Sequence, residues 1–499
     1  MRKVIEPQMR LGAVPIPKIV IDLKSRDEIP QLLLGLQHIY RTPETRKAVF
    51  KILEDIVPDG TSAARGRRGM DLWQILVLGT LRLNCNWDYD KLREVANNHQ
   101  TLRLMLGHGI LDRTTYPLQT LRDNVRWLTP EVLDRINQVV VKAGHELVGK
   151  EKELVLKGRC DSFVVETNVH YPTDINLLFD AIRKVITLIA VLCGRFGIGG
   201  WRQSDYQPRK VKGLYRKAQK LKHSTSKDEK KQEEHGELIR EAHQAYVELV
   251  GSLIQKAEVT LKLLLDNHLC LKEEVLEIQR YMAHAYRQVD QIQRRVILGE
   301  KIPHEEKVFS VYEEHTEWIS KGKAGVPREL GLRVAVLEDQ FGYVLYHQVM
   351  EKQTDDKVAL DMVRGAKTRF PRLGSCSFDK GFYTPANLVQ LAQELALVIL
   401  PKKGRLAAKD QEREGAEEFV AGRKKHAGVE SAINALENHG LDRCPDHGLE
   451  GFKRYVAMAV LARNIQILGR NLQEKQLKRI KRLAQFAAAK TQRKMQLAA

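Results

Sequence analysis

One short β-rich run, CDSFVVETNVHY (160–171), stands alone between two long helical stretches, and this isolation restricts the fold more than any other feature of the chain. Its alternation places Asp161, Phe163 and Val165 on one face of a strand. The next strand signals come only after Lys307, where GLRVAVLED (331–339) and YVLYHQVME (343–351) flank Gln340-Phe341-Gly342 and predict a two-stranded antiparallel hairpin. A helix over 355–370, the strand SCSFD (375–379), a helix opened by Thr384 with Pro385 at its first position, the strand LALVILP (395–401) and a helix around 428–438 follow. The pattern predicts a mixed α/β sheet whose first strand is separated from its partners by a long insertion.

The two flanking stretches read as helical throughout. From Leu32 to Val148 the apolar run MDLWQILVLGTLRL (70–83), the amphipathic DYDKLREVANN (88–98) and the periodic segment over 120–141 predict a compact helical domain, preceded at 65–68 by the basic loop of Arg65, Arg67 and Arg68. Helices of this kind suit either docking on DNA or dimerisation. In the second half of the block over 175–307 an apolar or small residue recurs every three or four positions, from Ala257, Leu261, Leu264 and Leu271 through Val275, Ile278, Met282, Ala285, Val289 and Ile292 to Val296, which predicts a coiled-coil-like hairpin turned near 266–272. The expected organisation is a helical DNA-binding or dimerisation domain over 1–150, a catalytic α/β domain over 151–470 interrupted by helices at about 176–307, and a basic helix or tail over 471–499.

Charge narrows the partners. The 82 Lys and Arg against 63 Asp and Glu give a formal charge of +19, which favours a polyanion bound through phosphate contacts and counterion release. The densest basic stretch, PRKVKGLYRKAQKLKHSTSKDEKK (208–231), offers Arg209, Lys210, Lys212, Arg216, Lys217, Lys220 and Lys222 as phosphate contacts, and KQLKRIKRLAQF (475–486) is a second basic amphipathic helix. A solvated charged face is the competing reading of both. The six cysteines never form a C-x-x-C pair, which argues against a zinc ribbon or a disulfide framework and fits a reducing cytoplasm. The most apolar run, 185–193, is far below the roughly 20 residues needed to cross a bilayer, so no membrane role is expected.

Three acids sit where chemistry on phosphodiesters would need them. Hydrolysis by two divalent cations requires carboxylates from distant parts of a chain to converge, because hard cations prefer oxygen ligands. Asp161 lies in the first strand, Asp379 ends a short strand and is followed by Lys380-Gly381 and a capped helix, and Glu430 lies on the helix AGVESAINALE, whose Val429, Ile433 and Leu436 form the buried stripe. An acid at the carboxyl end of a strand is where open α/β sheets build their sites. Taken singly, each acid reads more readily as a cap, a salt bridge or a solvated residue than as a ligand; their order on these elements distinguishes them.

The blocks RCDSFVVETNVHYPTD (159–174), HTEWISKGKAGVPRELGLRVAV (315–336), SFDKGFYTPANL (377–388) and GVESAINALENHG (428–440) resemble the motif blocks of bacterial insertion-sequence transposases of the DDE class, most closely the ISNCY-type group. The resemblance covers most of the chain. It implies a ribonuclease-H-like catalytic domain, with Asp161, Asp379 and Glu430 as catalytic metal ligands and two magnesium ions, replaceable by manganese, as cofactors. It further implies double-stranded DNA as partner, both terminal repeats and target, a homodimer or higher assembly on that DNA, and a cytoplasmic, nucleoid-associated bacterial protein. Related enzymes often carry Arg four residues before the glutamate and Lys seven after it, where this chain has His426 and Glu437; Lys424, Lys425, Asn434 and His439 are the candidate substitutes. Asp174 and Asp180 are the alternatives to Asp161. A catalytically silent, transposase-derived DNA-binding or regulatory protein is the competing function, and a repair or recombination nuclease without strand transfer is a third.

Overall fold

The computed structural model describes residues 3–5, 12–57, 69–148, 155–221, 228–267, 272–320 and 328–498, with side chains to residue 489. Arg65, Arg67, Arg68 and Lys222 lie outside these, as does the turn at 268–271. The chain divides into two compact units: Met1–Asn168 with Ile319–Ala499, and the inserted Val169–Trp318.

The first unit opens with helices α1 (Glu28–Arg41), α2 (Pro43–Glu54), α3 (Leu72–Asn84), α4 (Tyr89–Asn98), α5 (Gln100–Met105), α6 (Leu118–Val125) and α7 (Pro130–Val148). The helix α3 is apolar on every side, and all its residues except Gln74 are buried. A helix without a polar face must be surrounded. The separate helical domain expected over 1–150 is therefore not a body of its own. These helices share one continuous hydrophobic core with the sheet, and α1, α3 and α7 pack on the C-terminal helix α16 (Leu449–Ala498). The junction is polar and fully paired: Asn464 on α16 accepts from Val344 N (2.9 Å) and donates to Asn137 on α7 (2.7 Å), which itself donates to Val344 O (3.2 Å). Nearby, His145 on α7 meets Asp339 at 2.6 Å in the interior.

The sheet is built around β1 (Leu156–Thr167). On one side β1 runs antiparallel to β3 (Arg328–Glu338), which pairs with the short β2 (Glu317–Ser320) and antiparallel with β4 (Val344–Met350). On the other side it runs parallel to β5 (Leu373–Phe378), and β5 parallel to β6 (Leu397–Ile399). The expected hairpin is present. Asp339 Oδ1 accepts from Phe341 N and Tyr343 N, and Gly342 takes the positive φ (+84°) that the turn requires. Between strands run α12 (Asp355–Arg369) and α13 (Pro385–Glu394), the latter capped by Thr384 through Asn387 N as its sequence predicts. Two helices, α14 (Ala408–Gly415) and α15 (Glu417–Leu436), and the two-residue β7 (Arg443–Cys444) lead into α16.

Two boundaries differ from expectation. The helix expected around 428–438 begins at Glu417, because EEFVAGRKKHA carries too few apolar residues to show a period. The basic segment expected as a separate tail over 471–499 continues α16, whose first half is buried and whose second half, from Glu474, is largely exposed.

The inserted unit holds α8 (Asp174–Phe196), α9 (Tyr206–Lys220), α10 (Glu229–Asp266) and α11 (Lys272–Ile292). Thr173 caps α8 and Gly197 ends it. The stripe expected for a coiled-coil hairpin is buried at Ala257, Leu261, Leu264, Val275, Ile278, Met282, Ala285 and Ile292, but it seals a core shared by four helices, with α8 against α11 as the most extensive contact.

Candidate functional site

Strand register decides which side chains can meet. The last registered pair of β1 and β5 is Cys160↔Phe378, so Asp161 and Asp379 occupy the next, corresponding positions on neighbouring parallel strands. Ser377 and Asp379 share one face, two residues apart, as do Arg159 and Asp161. The helix α15 covers this face. Its Gly428 lies directly over the Arg159 guanidinium, where a Cβ would overlap that group, and Arg159 Nη1 donates to Lys425 O (3.3 Å). Arg159 is held from below by Glu338 (2.9 Å) and Asp339 O (2.8 Å). This close approach brings Glu430, two residues past the glycine, to the same edge.

The electrostatics report the convergence. Burial, joined by the charges of Asp379, Asp355 and Glu430, pushes the Asp161 carboxyl up to about 6, while the Ser162 N–H bonded to its Oδ1 (2.7 Å) pulls the other way. The structure thus brings Asp161, Asp379 and Glu430 to one edge. It also brings a fourth carboxylate that sequence reading missed: Asp355, at the first turn of α12, accepts from Ser162 Oγ at 2.6 Å. In sequence Asp355 reads only as an acid suited to a helix N-terminus. Its neighbourhood to Asp161 arises from α12 packing under β1.

Asp379 and Glu430 are exposed and make no ion pair among the described residues. No three acid, imidazole or thiol side chains among the described residues are closed around a common point. A set made of carboxylate oxygens alone, with like charges left uncompensated, matches the donor chemistry of a hard divalent cation. The alternatives to Asp161 are placed differently. Asp174 is bonded twice by Arg295 (2.6 and 3.0 Å), and Asp180 lies 3.4 Å from His170 and 3.6 Å from Arg183 within the inserted helices.

The basic candidates separate into two groups. Lys380, Lys424 and Lys425 are exposed beside the acid edge, on the turn after Asp379 and on α15. Arg209, Lys210, Lys212, Arg216, Lys217 and Lys220 are exposed along α9, whose Val211 and Ala218 are buried and whose Tyr215 stacks on Phe179 at 5.6 Å. Of the substitutes considered for the missing Arg and Lys, Asn434 is exposed on α15. His439 is buried instead, bonded through Nδ1 to Asn84 O in the core.

A second feature that sequence reading left without a role is His426, one turn before Glu430. Its Nδ1 meets Ser377 Oγ at 3.0 Å, and it feels the charges of Asp379, Glu430 and Arg159.

Residues 301–465, about one third of the chain, match the family model of the transposase DDE domain. That span contains the hairpin strands, β5, β6, Asp379 and Glu430, and it leaves β1 with Asp161 upstream, beyond the inserted helical unit. Residues 301–465 are therefore similar to a transposase DDE domain, in agreement with the resemblance to insertion-sequence DDE transposases, and such a domain implies a ribonuclease-H-like fold. No curated protein and no solved structure matches the chain.

Proposed function

We propose that the protein is a DNA transposase that cuts phosphodiesters at the ends of its element and joins the freed 3′-hydroxyl to target DNA, with Asp161, Asp379 and Glu430 as its catalytic carboxylates. The observation that carries this reading is the strand register that sets Asp161 and Asp379 at corresponding positions on neighbouring parallel strands, with α15 seated over Arg159 bringing Glu430 beside them, in a chain of which residues 301–465 match a DDE domain. The three acids would hold two magnesium ions, with manganese able to replace them. Bound there, the cations would supply Lewis-acid stabilisation of the attacking and leaving oxygens of an in-line displacement at phosphorus. The chain's own part is to fix the carboxylates on rigid elements: Asp161 through the Ser162 N–H, Asp379 at the end of a buried strand, Glu430 on a helix seated over Arg159. Lys380, Lys424 and Lys425 flank the edge and fit DNA phosphates close to the reacting one. The α9 residues Arg209, Lys210, Lys212, Arg216, Lys217 and Lys220 present a second basic surface suited to phosphates. Lys222, proposed with them, lies outside the described residues.

The narrower assignment to the ISNCY-type group rests on the motif blocks, and assembly as a dimer or larger complex on DNA rests on the need to pair two element ends. A silent DNA-binding descendant is the less favoured reading, since all three acids are present and crowded together. The test is cleavage and strand transfer on duplexes copied from the sequence flanking the gene, in magnesium. Asp379→Asn is expected to reduce both by three orders of magnitude or more, while binding to the same duplexes changes by less than about two-fold, because a metal ligand is lost and phosphate contacts are kept. Near-normal cutting by Asp379→Asn would overturn the site.

A further inference from the structure

We propose that His426 donates its Nε2–H to a non-bridging oxygen of the DNA phosphate held at the acid edge, with Ser377 as the positioning residue that selects this tautomer. The inference rests on the transposase reading above and adds a substrate-contacting residue to it.

The argument begins with a buried hydroxyl. Ser377 is 2% exposed, on β5 two residues before Asp379 and on the same face. Among the described residues its hydroxyl has one partner, His426 Nδ1, at 3.0 Å. Two arrangements satisfy that contact. If Nδ1 carried the proton and donated, the serine hydrogen would be left in the interior without an acceptor, a loss that buried polar groups seldom bear. If Ser377 donates, both groups are satisfied, Nδ1 is the acceptor, and the ring proton is on Nε2. Burial lowers the imidazole's proton affinity, and Arg159 lowers it further against the opposite pull of Asp379 and Glu430, which suits a neutral ring.

Position then assigns the target. His426 precedes Glu430 by one helical turn, so the two project along the same side of α15. Its contact with Ser377, two residues before Asp379 on the same face, places the ring at the acid edge. Among the described residues Nε2 has no partner, and it is not sealed in the interior. A neutral donor fixed by a buried hydroxyl, standing beside carboxylates suited to cations, matches the needs of a phosphate oxygen. It adds one aimed hydrogen bond without a second positive charge competing for the acids.

Two substitutions separate this contact from a purely structural bond to Ser377. His426→Asn keeps an amide group near the Nδ1 position and removes Nε2, whereas His426→Gln places an N–H donor near the Nε2 position. In single-turnover cleavage of the gene-flanking duplexes at saturating magnesium, His426→Asn is expected to be about 100-fold slower, with DNA affinity and melting temperature as in the wild type, and His426→Gln within about five-fold of it. Ser377→Ala, which frees the ring to change tautomer, is expected to be slowed by about three- to ten-fold. A phosphorothioate at the scissile position should slow the wild type in one diastereomer and slow His426→Asn less in that same diastereomer. Wild-type rates for His426→Asn, or equal losses for both variants with a lowered melting temperature, would overturn the contact while leaving the transposase reading intact. Failure of the wild type to cut any of these duplexes would overturn the transposase reading and this inference with it.

Discussion

The acid edge of the sheet and the inserted helical unit treat their acids in opposite ways. Within the helices, carboxylates find cations. Asp174 is bonded twice by Arg295, Glu274 by Arg195, and Arg294 reaches Asp290, Glu300 and Glu306, while Glu314 meets both Arg280 and His284. At the sheet edge, Asp161, Asp355, Asp379 and Glu430 crowd together, and the two exposed acids have no cationic partner among the described residues. Paired surface charges are scaffolding and contribute little each. Like charges left facing one another cost stability, and a fold retains them where something outside the chain compensates them. The contrast singles out the acid edge as the candidate working surface without reference to any relative.

The comparison breaks if relieving the edge does not stabilise the fold. Asp161→Asn keeps an acceptor for the Ser162 N–H and removes the crowded charge. Because the folded carboxyl sits near 6, above its ordinary 3.8, its penalty is absent below about pH 4, grows between pH 4 and 6, and is complete above pH 6. At pH 7.5, without divalent cations, Asp161→Asn is expected to be more stable to urea by about 2 kcal/mol, and at pH 4 to match the wild type. A variant that is less stable at pH 7.5, or a gain that does not change with pH, would show that the edge is not strained by charge. A smaller effect sharpens the other side. Asp174→Asn removes a bidentate but largely surface pair, so unfolding should become easier by about 1 kcal/mol or less, with DNA cleavage unaltered. A loss of several kcal/mol would mean that the helical unit depends on individual ion pairs far more than its hydrophobic core suggests.

What could be read from the sequence was local. The hairpin around Gly342, the Thr384-Pro385 helix start and the strand leading into Asp379 each carry their signal within a few residues, and all are present. The unity of the N-terminal helices with the sheet was signalled only by the all-round apolar character of α3, since a self-contained helical domain would have presented amphipathic faces. The beginning of α15 was hidden because Glu417 to Ala427 lacks a stripe; its buried Phe419 has no apolar neighbour one turn on. Asp355 and His426 were not legible as site residues. Their meaning depends on hydrogen bonds to Ser162 and Ser377, which are 193 and 49 positions away in sequence and become neighbours only once the strands pair and the helices pack.

The central claim is that Asp161, which lies upstream of the matched domain and beyond an inserted unit, shares one cation centre with Asp379 and Glu430. Iron(II) bound in place of magnesium, with ascorbate and peroxide, generates hydroxyl radicals that cut the backbone only near the ion. The account predicts cuts clustered around residues 161, 379 and 430 in the same sample, suppressed by excess magnesium and lost together in Asp379→Asn. Cuts near 379 and 430 with none near 161, or cuts at 161 that persist in Asp379→Asn, would contradict it.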